Sequence, residues 1–358
     1  MLTARWAISA GNPYAIASRI IADANNAGNA TGVLNVRSNA VLRVTGPTFN
    51  IGNDAGSAIG TGNGTVNVVD GGMVTAVGDI VEVSSAGGNG TSTISLTNGC
   101  VSAANIMVDT LNFSSGSVTN FGLLGLSTLN LFAPATIFTV YPGQSLAPLA
   151  TNRAGTLTVN GGGLRLTNAT VRYDLANNPL GVNDSISIGG GLTLEGTNVV
   201  EVIMVDGALG TGDYTLMTYG GALNGNANNL KLTGPLGLPT SRYQASLDTS
   251  ADLAVKLRIS GTPSASLTWS GDGAANIWNL TNAVNWNSNT EKFYDLDRVT
   301  FDDTGSLNPA VNLAGTLQPG GVTVNAVNDY TFGGSGKISG TSALSKLGSG
   351  QLTLQNAN

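Results

Sequence analysis

Short runs in which apolar and polar residues alternate recur along the chain. Each is followed by a small polar corner and then a further apolar residue. The clearest case is Thr65-Val66-Asn67-Val68-Val69-Asp70-Gly71-Gly72-Met73-Val74. Alternation with period two is the signature of a strand with one buried face. The glycines supply the backbone freedom that a sharp corner needs. Related triplets are Leu34-Asn35-Val36, Val66-Asn67-Val68, Ile94-Ser95-Leu96, Leu111-Asn112-Phe113, Leu129-Asn130-Leu131, Leu157-Thr158-Val159 and Leu192-Thr193-Leu194. Corners follow most of them: Gly71-Gly72, Asn98-Gly99, Ser115-Gly116 and Gly161 to Gly163.

The spacing turns a list of strands into a fold expectation. From Ile94 to Leu111 the interval is 17, and from Leu111 to Leu129 it is 18. That length suffices for three short strands and three corners. Longer intervals, such as Leu34 to Val66, require only a loop pushed out of one corner. A β-sandwich would give short strands and turns, but not one phrase repeated at a near-constant interval. The expectation is all-β, a parallel β-helix (a solenoid), in which Leu, Val and Ile fill the core and Asn and Thr side chains ladder at the corners.

Outside the ladder the pattern changes. Residues 14–24 (YAIASRIIADA) fit either one short helix or two edge strands, so 1–26 reads as a cap or a partial segment. The coil repeats occupy 27–173. From about 174 the strands lengthen (Val199 to Val205, Tyr214 to Tyr219, Leu230 to Thr233, Arg242 to Leu247, Leu253 to Ile259), so 174–260 reads as a β-rich continuation with wider coils or a different β-layer. Gly261-Thr262-Pro263-Ser264 is a joint before a last segment, 261–358.

Composition supports strands and corners. Of 358 residues, 50 are Gly, 10% are charged and 41% are hydrophobic. The charged share is far below the usual level of about 25%. A disordered chain would lack this apolar content. A net charge of −6 argues against nucleic acid, which needs a basic stripe, and against an anionic membrane surface. No apolar run is long enough to insert in a membrane as a helix. The absence of histidine removes the commonest general base and metal ligand. Cys100, the one cysteine, reads as a small buried residue. Met1 to Ala10 lacks the pattern of a signal peptide. The chain stops abruptly at Gln355 to Asn358, so a piece of a longer polypeptide, cut at both ends, is expected.

The last segment carries most of the distinctive phrases. They are Trp269-Ser270-Gly271, Trp278, Asn285-Trp286, then Phe293, Asp297, Val299 and Phe301, then Tyr330-Thr331-Phe332-Gly333-Gly334-Ser335-Gly336-Lys337-Ile338-Ser339-Gly340. Leu344-Ser345-Lys346-Leu347-Gly348-Ser349-Gly350-Gln351-Leu352-Thr353-Leu354 closes the run. This series resembles the autotransporter-associated β-strand repeat of large surface and secreted proteins of Gram-negative bacteria. Residues 200–260 resemble the segment that often precedes it, through Gly212-Asp213-Tyr214-Thr215-Leu216 and Arg242-Tyr243. Residues 1–170 resemble other passenger β-helices in pattern only. The resemblance implies an extracellular or cell-surface passenger, a right-handed parallel β-helix, structural or adhesive, and brings no catalytic residues or cofactor. Surface glycans or other cell surfaces are the partners it suggests.

Three candidate sites each have a plainer reading beside the functional one. Trp269, Trp278 and Trp286 are either a platform that stacks on sugar rings or a plug between 260 and the last coils. Asp295, Asp297, Asp302 and Asp303 are dense enough in oxygen ligands for Ca²⁺, although Asp302-Asp303-Thr304-Gly305 also reads as a turn. Among the early acids Asp54, Asp70, Asp79, Glu82 and Asp109, stacking of coils would have to bring a pair together for the carboxylate chemistry of a polysaccharide lyase or hydrolase; Asp79 and Glu82 are the candidates, and the plainer reading is that these acids are solvated corner charges. The runs Gly333 to Ile338 and Gly87 to Ser92 lack the aspartate of the Ca²⁺-binding nonapeptide, and no glycine run has the form of a phosphate loop.

Overall fold

In the computed structural model, residues 2–8, 14–16, 19–23, 29–53, 61–83, 90–133, 136–148, 154–206, 209–233, 241–340 and 343–355 are described. The protein is all-β, with predominantly parallel strand pairing, and no α-helix occurs among the described residues. Two compact units are distinguished: Met1–Gly207 with Asp213–Thr233 and Leu247–Leu257, and Ala208–Gly212 with Gly234–Ser246 and Arg258–Asn358.

In the first unit, one row of strands runs through Leu2–Ile8, Ala30–Val36, Gly62–Val69 and Thr91–Thr97, then through the second half of Asn105–Phe113 and of Leu123–Leu131. Each pairs in parallel with the next. Leu34, Val66, Ile94, Leu111 and Leu129 are successive partners in this register. All five are at most 2% exposed. The polar residue of each triplet faces outward and is half-buried. A second row holds Arg19–Asp23, Thr48–Asn53 and Asp79–Val83, then the first halves of the same two long strands, then Ser145–Pro148, Thr170–Leu175, Asn198–Met204 and Leu230–Thr233. Asn105–Phe113 and Leu123–Leu131 therefore serve both rows, which fuses them into one hydrogen-bonded sheet.

The corners stack as well. The Asn39 N–H donates to the Asp70 carbonyl, Asp70 to Thr97 and Asn98 to Ser115, at 2.9–3.2 Å. Asp70 and Gly71 both have positive φ, +51° and +78°. At Gly72 an added Cβ would collide with the Val36 carbonyl, so the next rung leaves no room for a side chain. A separate five-stranded sheet follows these corners: Tyr14–Ile16, Val41–Val44, Met73–Ala76, Gly99–Ser102 and Gly116–Thr119. It stops there. A different four-stranded sheet begins at Ile137–Val140 and continues through Gly163–Thr167, Leu192–Glu195 and Leu223–Asn224.

The structure corrects several expectations. Leu129 pairs with Val159, two residues beyond the expected Leu157, so Asn130 meets Asn160. A shift of two keeps every side chain on its face, so period alone could not discriminate. Leu192 does not continue the first row; it pairs with Leu164 in the four-stranded sheet. The asparagine ladder lies in mid-strand, not at the corners. Asn67 Nδ2 donates to Asn35 Oδ1, Asn112 to Ser95 Oγ, Asn130 to Asn112 and Asn160 to Asn130, at 2.9–3.1 Å. Cys100 is half-buried on the outward side of its strand, between buried Gly99 and Val101. Residues 14–24 contain the strands Tyr14–Ile16 and Arg19–Asp23. The strands predicted after 174 are found within two residues at each end, as Asn198–Met204, Gly212–Tyr219, Leu230–Thr233, Tyr243–Asp248 and Ala254–Gly261.

The second unit has its own parallel sheets. One is Ser266–Thr268, Arg298–Asp302, Gly321–Asn325 and Leu344–Leu347; another is Ile277–Trp278, Ala310–Leu313, Tyr330–Gly334 and Leu352–Leu354. Thr316–Leu317 pairs with Lys337–Ile338. Val299 faces Val322 and Val322 faces Leu344, so the interval between partners here is 23 and then 22. The core between these sheets is aromatic, built from Trp269, Trp278, Trp286, Phe293, Phe301, Tyr330 and Phe332.

Candidate functional site

The three tryptophans come together, in the interior. Trp269, Trp278 and Trp286 are each 0% exposed. Trp286 meets Trp269 and Trp278 edge-to-face at 5.1 and 5.4 Å, and Phe301 lies 5.5–5.6 Å from all three. The Trp269 Nε1–H donates to the Asn308 carbonyl at 3.0 Å, while those of Trp278 and Trp286 have no acceptor. A ring with no exposed surface offers no face to a sugar, so this geometry is that of a core and not of a stacking platform. The turns leading to the rings are tied by side chains: Asn285 Nδ2 donates to the Ile277 carbonyl and Asn276 Oδ1 accepts from the Asp272 and Gly273 N–H groups.

The four aspartates are neighbours in sequence, but each is held by its own donors. Asp297, 0% exposed, accepts from Arg242 Nε at 2.9 and 3.0 Å, from the Ala265 N–H at 2.7 Å and from the Tyr294 N–H at 2.9 Å. Burial pushes its carboxyl up from the ordinary range, while the Arg242 and main-chain hydrogen bonds pull against it. Arg242 also donates through Nη2 to Glu291 and to the Lys292 carbonyl, and its guanidinium lies 4.5 Å from the Tyr294 ring centre. Burial opposes its charge, but Asp297 and Glu291 together hold its pKa above the ordinary value. Asp295 accepts from the Gln318 N–H at 2.8 Å. Asp302 caps the 3₁₀ turn Asp303–Gly305 by accepting from the Thr304 N–H. Asp303 accepts from the N–H groups of Val327 and Asn328, which hold its carboxyl below the usual range. The turn reading of Asp302 to Gly305 is the one observed. Among the described residues, no group of three or more Cys, Asp or Glu side chains is placed to hold a metal ion.

Among the early acids, the two candidates Asp79 and Glu82 make separate contacts. Asp79 accepts from Asn105 Nδ2 at 2.9 Å. Glu82 and Asp109 instead converge on Ser92, whose buried Oγ lies 3.0 Å from Glu82 Oε2 and 3.2 Å from Asp109 Oδ2. The Ser92 N–H donates to Asp109 Oδ2 at 2.8 Å, and the Asp109 N–H donates back to Ser92 Oγ at 2.9 Å. The separation of Ser92 and Asp109 is 17, the same as between the partners Ile94 and Leu111, so the spacing already contained this contact. Asp70 occupies its corner, and Asp54 lies outside the described residues.

Sequence reasoning missed one buried acidic pair in the first unit. Asp174 and Asp184 are 4% and 2% exposed. Asp184 accepts from the Gly155 N–H at 2.7 Å and the Asp174 N–H at 2.8 Å, and its own N–H donates to the Asp174 carbonyl at 3.0 Å. The two residues thus close the loop of residues 176–183. Burial pushes the Asp184 carboxyl up to about 6 against the pull of those two amides, and the Asp174 charge adds to the rise. Tyr173 is fully buried, and its hydroxyl has no hydrogen-bond partner. Burial, and then the Asp184 charge, hold that hydroxyl well above its ordinary pKa. With both carboxyl oxygens engaged by main-chain N–H groups, Asp184 acts as a clamp on the loop. No motif announced it, since Asp174 and Asp184 lie in unremarkable sequence on either side of a Pro- and Asn-containing loop. No protein-family model matches the chain, and no curated protein matches it either.

Proposed function

We propose that this chain is a non-catalytic, extracellular β-helical stalk or passenger segment of a bacterial surface or secreted autotransporter-like protein. It extends, displays or adheres. In this reading the parallel rows are successive turns of a right-handed solenoid. The observation that carries it is the register Leu34, Val66, Ile94, Leu111, Leu129, which puts one class of buried residue above another through five successive rungs. The mechanism is mechanical. Main-chain hydrogen bonds run from rung to rung, an aliphatic core lies beneath them, and side-chain amides ladder above. Such a chain resists proteolysis without disulfides, which suits an extracellular setting for a protein with a single cysteine. The phrases of residues 269–354 support the same reading through their resemblance to the autotransporter-associated repeat.

The decisive experiment is immunolabelling of the chain on intact and permeabilised cells of the native host. Labelling of intact cells, removed by external protease, is the expected result. Labelling only after permeabilisation would reject the proposal.

A further inference from the structure

We propose that the strand edges Gly116–Thr119 and Ile137–Val140 in the first unit bound a slot that takes one extended, uncharged polypeptide segment as an added strand. Among the described residues, the five-stranded sheet ends at Gly116–Thr119, whose only strand partner is Gly99–Ser102. The four-stranded sheet begins at Ile137–Val140, whose only strand partner among the described residues is Gly163–Thr167. The long strands that precede these edges are nevertheless paired with each other, Leu111 opposite Leu129. Successive rungs are therefore joined on one side and unjoined on the other, and among the described residues each edge keeps one side of its main chain unpaired.

The core is open at this point. Val118 is half-buried, although its register mate Val101 is 1% exposed. Phe113 is half-buried, whereas its mates Leu96 and Leu131 are 1% and 4% exposed. The resulting groove has a volume of about 320 Å³. Phe113, Val118, Thr119, Ile137, Phe138 and Tyr141 line it, with Phe113 and Phe138 edge-to-face at 5.5 Å. Ile137 and Tyr141 stand 45% and 55% exposed.

These features point to one class of occupant. Unpaired strand edges offer N–H and C=O groups in the spacing of a strand. Proteins ordinarily blunt such edges with Lys, Pro or a covering loop. Gly-Ser-Val-Thr and Ile-Phe-Thr-Val carry neither a charge nor a proline. No lining residue of the groove is charged, so a neutral segment matches it and a charged one would be desolvated without a partner. The ladder continues into the slot from both sides. A guest with apolar residues at every second position would cover Phe113 and Val118 with one face.

The test uses the whole chain and an acetylated eight-residue peptide of alternating threonine and valine. Binding is followed by fluorescence anisotropy, and amide protection by hydrogen exchange. The expected result is binding that protects 116–119 and 137–140 and leaves Gly99–Ser102 unchanged. The same peptide N-methylated at alternate amides should lose binding, because the main-chain donors on one side of its strand are gone and methyl groups stand in their place. Ile137→Lys should weaken binding on the order of tenfold with an unchanged melting temperature, since that side chain is largely exposed. Equal binding of the N-methylated peptide, protection elsewhere, or no binding at millimolar peptide would each overturn the proposal, and an oligosaccharide that gives the same protection would reassign the slot.

Discussion

The two units fill parallel β-rows by different means. The first packs mainly aliphatic residues, more than one from each strand, beneath a ladder of asparagines. The second packs three tryptophans, three phenylalanines and a tyrosine into one cluster between short strands. Partner intervals overlap between the two: 17, 18 and 32 occur in the first unit, and 22, 23 and 32 in the second. Repeated aliphatic rows share the load. The turns around the rings are tied individually by Asn276, Asn285, Asp297 and Asp303. The first unit is thus distributed and the second concentrated.

That contrast can be broken most sharply at Trp278. Trp278→Ala should cost about 3–5 kcal/mol through the cavity it leaves among its ring neighbours. Leu129→Ala, equally buried, should cost about 2–4 kcal/mol. Chemical denaturation read by hydrogen exchange separates the two. Each loss should stay in its own unit, and the tryptophan effect should be the larger. A Trp278→Ala variant as stable as the parent would refute the concentrated core.

Asp297→Ala should follow at about 3 kcal/mol, because it strands the guanidinium of Arg242 and two main-chain N–H groups. Replacing Arg242 together with Asp297 by apolar residues should recover part of that loss, and a double-mutant cycle measures the coupling.

The pH dependence of the first unit tests Asp184. Its folded-state pKa, about 6, lies above the ordinary carboxyl value of 3.8, so the folded chain holds the proton more tightly. The stabilisation is fully present below about pH 4 and is lost as pH rises through 6, by up to about 3 kcal/mol. Melting curves of the parent and of Asp184→Asn between pH 4 and 8 should differ in slope, with the variant flatter. Parallel slopes would remove Asp184 as the titrating group.

The smallest effect should come from the ladder. Asn130→Ala breaks two side-chain hydrogen bonds, to Asn112 and from Asn160, and should cost about 1–2 kcal/mol. Asn130→Asp should cost more, since it replaces the donor toward Asn112 with an acceptor.

Much of this architecture was legible in the chain. Alternation marked the strands, and the near-constant interval between phrases named the partners Ile94, Leu111 and Leu129 before any coordinate did. The turn at Asp302 to Gly305 was also readable, because Asp caps and Gly bends for local reasons. Less legible were the partners of Leu157 and Leu192. An apolar-polar-apolar triplet has the same form in any sheet, and a two-residue slip leaves its faces intact.

By itself, the sequence determined periodicity, the buried face of each strand and the composition of the corners, because these depend on neighbours within a few residues. Only the tertiary structure decided what closes over what. It placed in a core three tryptophans that the pattern left as either a platform or a plug, dispersed four adjacent aspartates to separate donors, and brought Glu82 and Asp109 onto Ser92. It buried Asp184 without a motif and left two strand edges facing a groove. Most of these outcomes join residues 10 to 55 positions apart, a distance over which the pattern within one strand carries no information; the 17-residue step from Ser92 to Asp109 is the exception, because it equals a repeat interval.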